Sequence, residues 1–435
     1  MTSPNHPAAS APGAFSPYQK FVVALLAFLQ FTIVLDFMIM GPLGALLLRD
    51  LGVSTEQFGK VVSVYAFSAG ASGLLAAGFA DRFDRKKLLL FFYAGFLLGT
   101  FLCGVATSYE FLLVARIVTG LFGGVIGSIS MAIVADLFPL EVRGRVMGTV
   151  QTAFAASQVL GIPLGVLLSN KWGWHAPFLM IVAISTAVGA LIVIKLQPID
   201  AHLKLKQKPQ DPFAHVKKTV SQGRYLRTFA ATALLATGGF MLMPFGSAFS
   251  VNNLGVSLKD LTWVYLVTGI FTFMAGPLLG RVADRIGKYR MFAIGSTVGM
   301  VLVWYFCRLS VTPLWLVMVL NTILFVSITS RMISAQALIS AVPDMPDRGA
   351  FMAVNSSLQQ LSGGIAAWVA GHIVVQTASG RLEHYDTLGS VVVCAMAATV
   401  ALMYPIHRAI TRKRPQAGPA PAAAPVAPAS APAVD

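Results

Sequence analysis

Along the 435-residue chain, apolar runs of about twenty residues alternate with short polar turns. Twelve runs stand out. Six lie at roughly 21–45, 59–80, 88–107, 111–135, 147–169 and 176–195, and six at roughly 227–250, 261–282, 291–309, 313–338, 352–376 and 388–406. A helix of about twenty apolar residues crosses the hydrocarbon core of a bilayer, so each run predicts one transmembrane helix. Between the sixth and seventh lies "QPIDAHLKLKQKPQDPFAHVKKTVSQGRYLR", a polar, Lys-rich stretch that cannot span. The pattern predicts an all-α polytopic membrane protein of twelve helices in two six-helix bundles, 20–196 and 226–410, joined by a linker over 197–225. An even number of crossings places residues 1–19 and 411–435 on one side. The closing "PQAGPAPAAAPVAPASAPAVD" is Ala/Pro low complexity and, like residues 1–19, reads as a disordered tail.

Composition agrees with this reading. Hydrophobic residues make up 56% of the chain and charged residues 11%, against about 25% charged in soluble domains. The net charge of +15 could suggest nucleic acid, but its distribution argues otherwise. Of the 32 lysines and arginines, 24 fall in the loops and tails on the termini side and six on the opposite side. That bias places both termini inside an inner (plasma) membrane and accounts for the charge by topology and anionic lipid. The first twenty residues hold one cation and no apolar core of a leader, so no cleavable signal is expected. Cys103, Cys307 and Cys394 fall in apolar runs with no metal-ligand spacing and read as small buried side chains. Trp172, Trp174, Trp263 and Trp315, near the outer span ends, read as interfacial anchors.

The two halves echo each other. "GFADRFDRKK" follows the second span and "GRVADRIGKYR" the eighth, so Asp81 and Arg82 match Asp284 and Arg285. "RGRVM", with Arg143, follows the fourth span and "RGAFM" the tenth. Such repeats are a mark of secondary transporters. The first loop resembles G-x-x-x-D-R-x-x-R-[RK], the pattern of the major facilitator superfamily, with Ala77 for the leading glycine and Asp84 for the second. "LLVARIVTGLFGG" resembles that family's fourth-span motif, with Arg116 at the arginine and Gly120 at the first glycine. "ASQVLGIPLGVLLS" resembles the fifth-span pattern of its antiporters through Gly161, Pro163 and Gly165, which also suit close helix packing. The resemblance, over residues 20–410, is to the twelve-span drug:proton antiporter or arabinose-efflux-like branch. It implies two bundles around a central cavity. It also implies a cytoplasmic gate in which Asp81, Arg82, Arg85 and Arg143, with Asp284 and Arg285 in the second copy, hold the halves together when the transporter faces outward.

Two intramembrane charges carry the candidate chemistry. "FTIVLDFMIM" sets Asp36 inside an apolar run, where a carboxylate costs about 2.5–3.5 kcal/mol on insertion scales. It lies nine residues from the expected outer end of span one, about 13 Å deep, and Arg116 about 9 Å from the end of span four. At similar depth on cavity helices the two are candidate partners for proton coupling; the alternative is a permanent ion pair that only fixes helix register. Arg331 in span ten can bind an anionic group or pair with a helix-end carbonyl, with Asn321 above it. Gln30, Tyr65, Gln158, Asn355, Gln359 and Gln360 are candidate cavity hydrogen-bonders, and Met241, Met243 and Phe273 an adaptable apolar wall. His372 is a candidate relay.

No P-loop, HExxH or GxSxG occurs, so the chain does not read as an enzyme and needs no cofactor or metal. The expected activity is proton-coupled export of a small amphipathic solute by a monomer in lipid. Uptake by proton symport of a sugar or carboxylate is one rival, and a non-transporting receptor or scaffold is another.

Overall fold

The computed structural model describes residues 15–76, 82–200, 203, 221–344 and 347–413. The first bundle holds α1 (Pro17–Met38), α2 (Met40–Asp50), α3 (Thr55–Ala76), α4 (Arg85–Gly104), α5 (Tyr109–Leu137), α6 (Leu140–Ala156), α7 (Ile162–Trp172) and α8 (Ala176–Lys195). The second holds α9 (Gly223–Leu242), α10 (Gly246–Asn252), α11 (Leu258–Ile286), α12 (Lys288–Phe306), α13 (Leu314–Ile339), α14 (Arg348–Ile373) and α15 (Tyr385–Lys413). Several starts follow from local capping. Ser16 and Gln19 form a reciprocal capping box on α1 with Pro17 behind it, and Ser108 and Ser257 cap α5 and α11.

Spans one, five and seven are built from more than one helix, for reasons visible in the chain. Pro42 has no N–H to give to Met38, and the ladder between α1 and α2 breaks there. The first span therefore runs on to Asp50 instead of ending near residue 45. In span five Pro163 likewise cannot bond Val159, and a π turn over Ser157–Gly161 absorbs the mismatch, with the Ile162 N–H bonding Ser157 O. In span seven Pro244 separates α9 from α10.

Eleven stretches among the described residues are long and apolar enough to cross a bilayer. The twelfth long helix, α14, is more polar because it carries Asn355, Gln359 and Gln360 and is packed along α3 of the other half. It ends at Ile373, earlier than the run to 376 suggests, because Val375–Gln376 pairs with Leu382–Glu383 as a short antiparallel hairpin.

The core shows how the halves meet. At the end away from the termini one apolar core runs through both bundles, joining Leu35, Ile39, Leu43 and Phe58 to Phe245, Phe249, Leu254 and Val374. Ser247 donates to Gly41 O at 2.6 Å, Thr55 to Val374 O at 2.6 Å, and Asn170 to Leu258 O at 2.8 Å across this seam. At the termini end the bundles have separate cores. One is built on Val22, Phe92, Ile133 and Phe138, the other on Tyr225, Phe229, Phe292 and Phe351. The two halves thus share one core at one end, while at the other each has its own core, with Leu74 of α3 reaching the second bundle's.

Two expectations about single residues change. Trp174 is 4% exposed and stacks on His175 at 3.7 Å, so it is a core residue, whereas Trp172, Trp263 and Trp315 stay exposed. Cys394 is exposed, while Cys103 and Cys307 are buried. The Asp81 position, most of the linker, residues 1–14 and the tail from 414 lie outside the described residues.

Candidate functional site: a buried ion pair between spans one and four

Asp36 sits two residues before the end of α1, fourteen residues short of Asp50, about 21 Å of helix rather than 13. Arg116 lies one to two turns into α5. The two side chains meet in spite of that offset. Arg116 Nη1 donates to Asp36 Oδ2 at 2.8 Å, and both side chains have no exposure at all. Thr100 of α4 donates to the other carboxylate oxygen at 3.1 Å. The Arg116 guanidinium lies 4.3 Å from the centre of the Tyr65 ring.

An aromatic cover closes the pair. Tyr65 packs on Phe37 at 5.4 Å, and Phe37 packs on Phe240 of the second bundle at 5.3 Å. Phe37 follows Asp36 directly, so the carboxylate is one residue from the seam between the halves. Nε and Nη2 of Arg116 are buried without a hydrogen-bond partner. An orphaned buried donor costs about 1–3 kcal/mol. The pair is therefore strongly held on one side and incompletely satisfied on the other.

Small residues make the close approach possible. A Cβ on Gly120 would stand 2.1 Å from Ser68 Oγ and 2.4 Å from Tyr65 O. Because the second of these is backbone, α3 would have to move. Gly120→Ala should cost about 1–3 kcal/mol and shift Tyr65 off Arg116. A thermal melt of the purified protein checks this, and an unchanged melting temperature would contradict it. On α1's other side, Gly161 and Gly165 admit Leu35 and Ile39, whose methyls lie 2.6 and 2.4 Å from where a Cβ would be. Pro163 sits between them at the π turn.

The loop residues do something more local. Arg85 Nε meets Asp136 Oδ2 of α5 at 3.1 Å, and Asp84 caps α4 at Lys87 N while also accepting from Ile199 N, both at 2.9 Å. Arg143 donates to Phe138 O at 2.9 Å and to Ala135 O, fastening the end of α5. Asp284 pairs with Lys288 one turn on, and Arg82 and Arg285 are exposed. Every one of these contacts stays within one half. Asp81, the acid of the implied cross-half pairing, lies outside the described residues.

The other candidates are scattered. Thr232 donates to Asn355 at 2.6 Å, tying α9 to α14, and Asn321 donates to Thr268 at 2.8 Å, tying α13 to α11. Gln158 reaches only the Met38 sulfur, at 4.0 Å, and Gln30, Gln359 and Gln360 are half-buried. Met241 is buried in the shared core, and Phe273 is exposed. His372 lies at the shared-core end, 3.6 Å from Glu56 and bonded to Trp368 O, on a different contact from Asp36. Thr100, Asp136 and Phe240 escape a sequence reading. Of these only Asp136, an acid closing span four opposite a basic loop, leaves a signal in the sequence. Among the described residues no group of His, Cys, Asp and Glu could hold a metal.

The family model described as Major Facilitator Superfamily matches residues 26–367 and, in a second placement, 228–432. The chain belongs to the major facilitator superfamily. It is a multi-pass membrane transporter and not an enzyme. It is 26% identical to the putative transporter AraJ of Escherichia coli over 275 residues, 62% of this chain and 68% of that protein. Multidrug resistance protein 3 of Bacillus subtilis is 33% identical over 172 residues, 40% of this chain and 33% of that one. Among solved structures, a bacterial homologue of the human lysosomal transporter Spinster, inward-facing and occupied, superposes with TM-score 0.65 at 15% identity. That match covers 92% of this chain and 98% of its own.

Proposed function

We propose that this superfamily member exports a small amphipathic organic solute in exchange for protons, by alternating access, in the inner membrane with both termini cytoplasmic. The observation that carries the reading is the Asp36–Arg116 pair, fully buried, with Thr100 on one carboxylate oxygen and the aromatic cover reaching into the other bundle. A carboxylate held by a guanidinium stays charged, and one parted from it in an apolar site takes up a proton. When the halves rock, Phe240 moves relative to Phe37, and the pair opens on one side of the membrane at a time. The excess of cations on the termini side supports the orientation. The multidrug-resistance relative supports the export direction.

Expression in an efflux-deficient bacterial host tests the direction. The proposal expects survival to rise for a subset of amphipathic toxic compounds and to fall back when the proton gradient is collapsed. Sensitisation to those compounds would indicate uptake instead. No effect on any of a broad panel, with the protein present in the membrane, would favour the non-transporting reading.

A further inference from the structure

The second bundle buries a guanidinium for which the described residues supply no counter-charge. Three arginines are buried among the described residues. Arg85 has Asp136 and Arg116 has Asp36. Arg331, at 5% exposure, is in no ion pair among the described residues. Its Nε donates to Ser296 Oγ at 3.0 Å, and its Nη2 is buried with no hydrogen-bond partner. The sequence explains this. From residue 226 to 413 the acids are Asp260, Asp284, Asp344, Asp347, Glu383 and Asp386, all at or beyond helix ends, and none within the apolar body of a span. Arginine does not shed its proton in proteins, so it cannot escape the cost of burial by turning neutral. Nor is Arg331 occupied by a helix end. It lies eight residues before Ile339 and makes no bond to a carbonyl among the described residues.

Its surroundings are those of a receptor for an anion. Ser296 accepts from Arg331 and keeps its own proton to donate. Ser334, one turn along α13 on the same face, is buried with an unpartnered hydroxyl. Arg331 Nη1 lies 3.9 Å from where a Cβ on Gly238 of α9 would stand, a point also flanked by Val392 and Met396 of α15. Phe292 lies 5.8 Å from the guanidinium. A planar cationic fork, orientable hydroxyls and an apolar wall match the head and body of an amphipathic acid.

We infer that Arg331, with Ser296 and Ser334, forms an oxyanion site that takes the carboxylate or phosphate of a small amphipathic acid. This rests on the reading of the chain as a solute transporter and names the class of its solute. The same oxyanion chemistry is present in a phospholipid headgroup, so the test separates the two sources. The full chain is purified into phosphatidylcholine nanodiscs, and binding of benzoate is followed by thermal melting and calorimetry, with benzamide as the neutral counterpart. Benzoate should raise the melting temperature and benzamide should not. Arg331→Gln should weaken benzoate by about tenfold or more, the scale of one charge-assisted fork, with Arg331→Lys retaining part of it. Should Arg331→Gln fail to fold, a loss of about threefold in Ser296→Ala carries the same test. Stabilisation by phosphatidylglycerol nanodiscs alone, lost with Arg331, would give the site to lipid and overturn the inference. So would an equal benzoate response in wild type and both variants, or none at all. Equilibrium binding needs no gradient, so failure here leaves proton coupling standing, and failed proton coupling leaves this site standing.

Discussion

Asp36→Asn should abolish solute movement against a gradient while leaving exchange between equilibrated pools. Asparagine keeps the size of the side chain and can still accept from Thr100, whose hydroxyl lies 3.1 Å from Asp36 Oδ1. It cannot bind and release a proton. Downhill exchange needs only that the halves rock around a loaded site, whereas accumulation needs a proton to be carried on the return. In the proposed antiport the membrane potential and pH gradient would supply the work, at about 2.3 kcal/mol per charge per 100 mV. Without the titrating group that work cannot be coupled to the solute. Counterflow of labelled solute in reconstituted vesicles separates the two activities. Loss of both together would mean that Asp36 is needed for shape and not for coupling.

Arg116→Ala should be the most damaging single change to folding. It would leave the Asp36 carboxylate, with zero exposure, facing Thr100 alone. Breaking a buried pair on one side costs about 3–5 kcal/mol. That is a large share of the 5–15 kcal/mol that holds a typical domain. It would also strip the cation from the Tyr65 ring and leave a cavity between α1, α3 and α5. The yield of folded, monodisperse protein should drop sharply. Arg116→Ala combined with Asp36→Asn should recover part of the loss, because no charge is then stranded. A double variant no more stable than Arg116→Ala alone would show that the charge pair is not what the arginine contributes.

The order of spans is legible in the sequence because a twenty-residue apolar run is a local property. The Asp36–Arg116 partnership is legible as well, since two charges in apolar runs have few other places to go. What stays hidden is set by neighbours distant in the chain. Pro42 and Pro163 announce breaks, but not that one would part α1 from α2 and the other would become a π turn. Thr100 looks like any other small residue of α4, and Phe240 like any other apolar one of α9. The polarity of α14 makes sense only once α3 is seen beside it. The loop residues behave in a comparable way. Their motif is plain, but that Arg85 meets Asp136 at the far end of α5 is set by packing distant in the chain. The sequence leaves Arg331 an anion or a carbonyl as partner, and does not announce that its Nε donates to Ser296 Oγ.

Simultaneous recording of proton and solute flux tests the central claim most directly. Wild-type protein is reconstituted into vesicles with a pH-sensitive dye inside, and a pulse of a compound identified by the survival screen is added with no gradient imposed. Antiport predicts that the lumen grows more alkaline as solute enters, at a fixed ratio of protons to solute, and that Asp36→Asn vesicles show no proton movement. Solute entry with an unchanged lumen, or the same proton flux from Asp36→Asn, would contradict a proton switch at the Asp36–Arg116 pair.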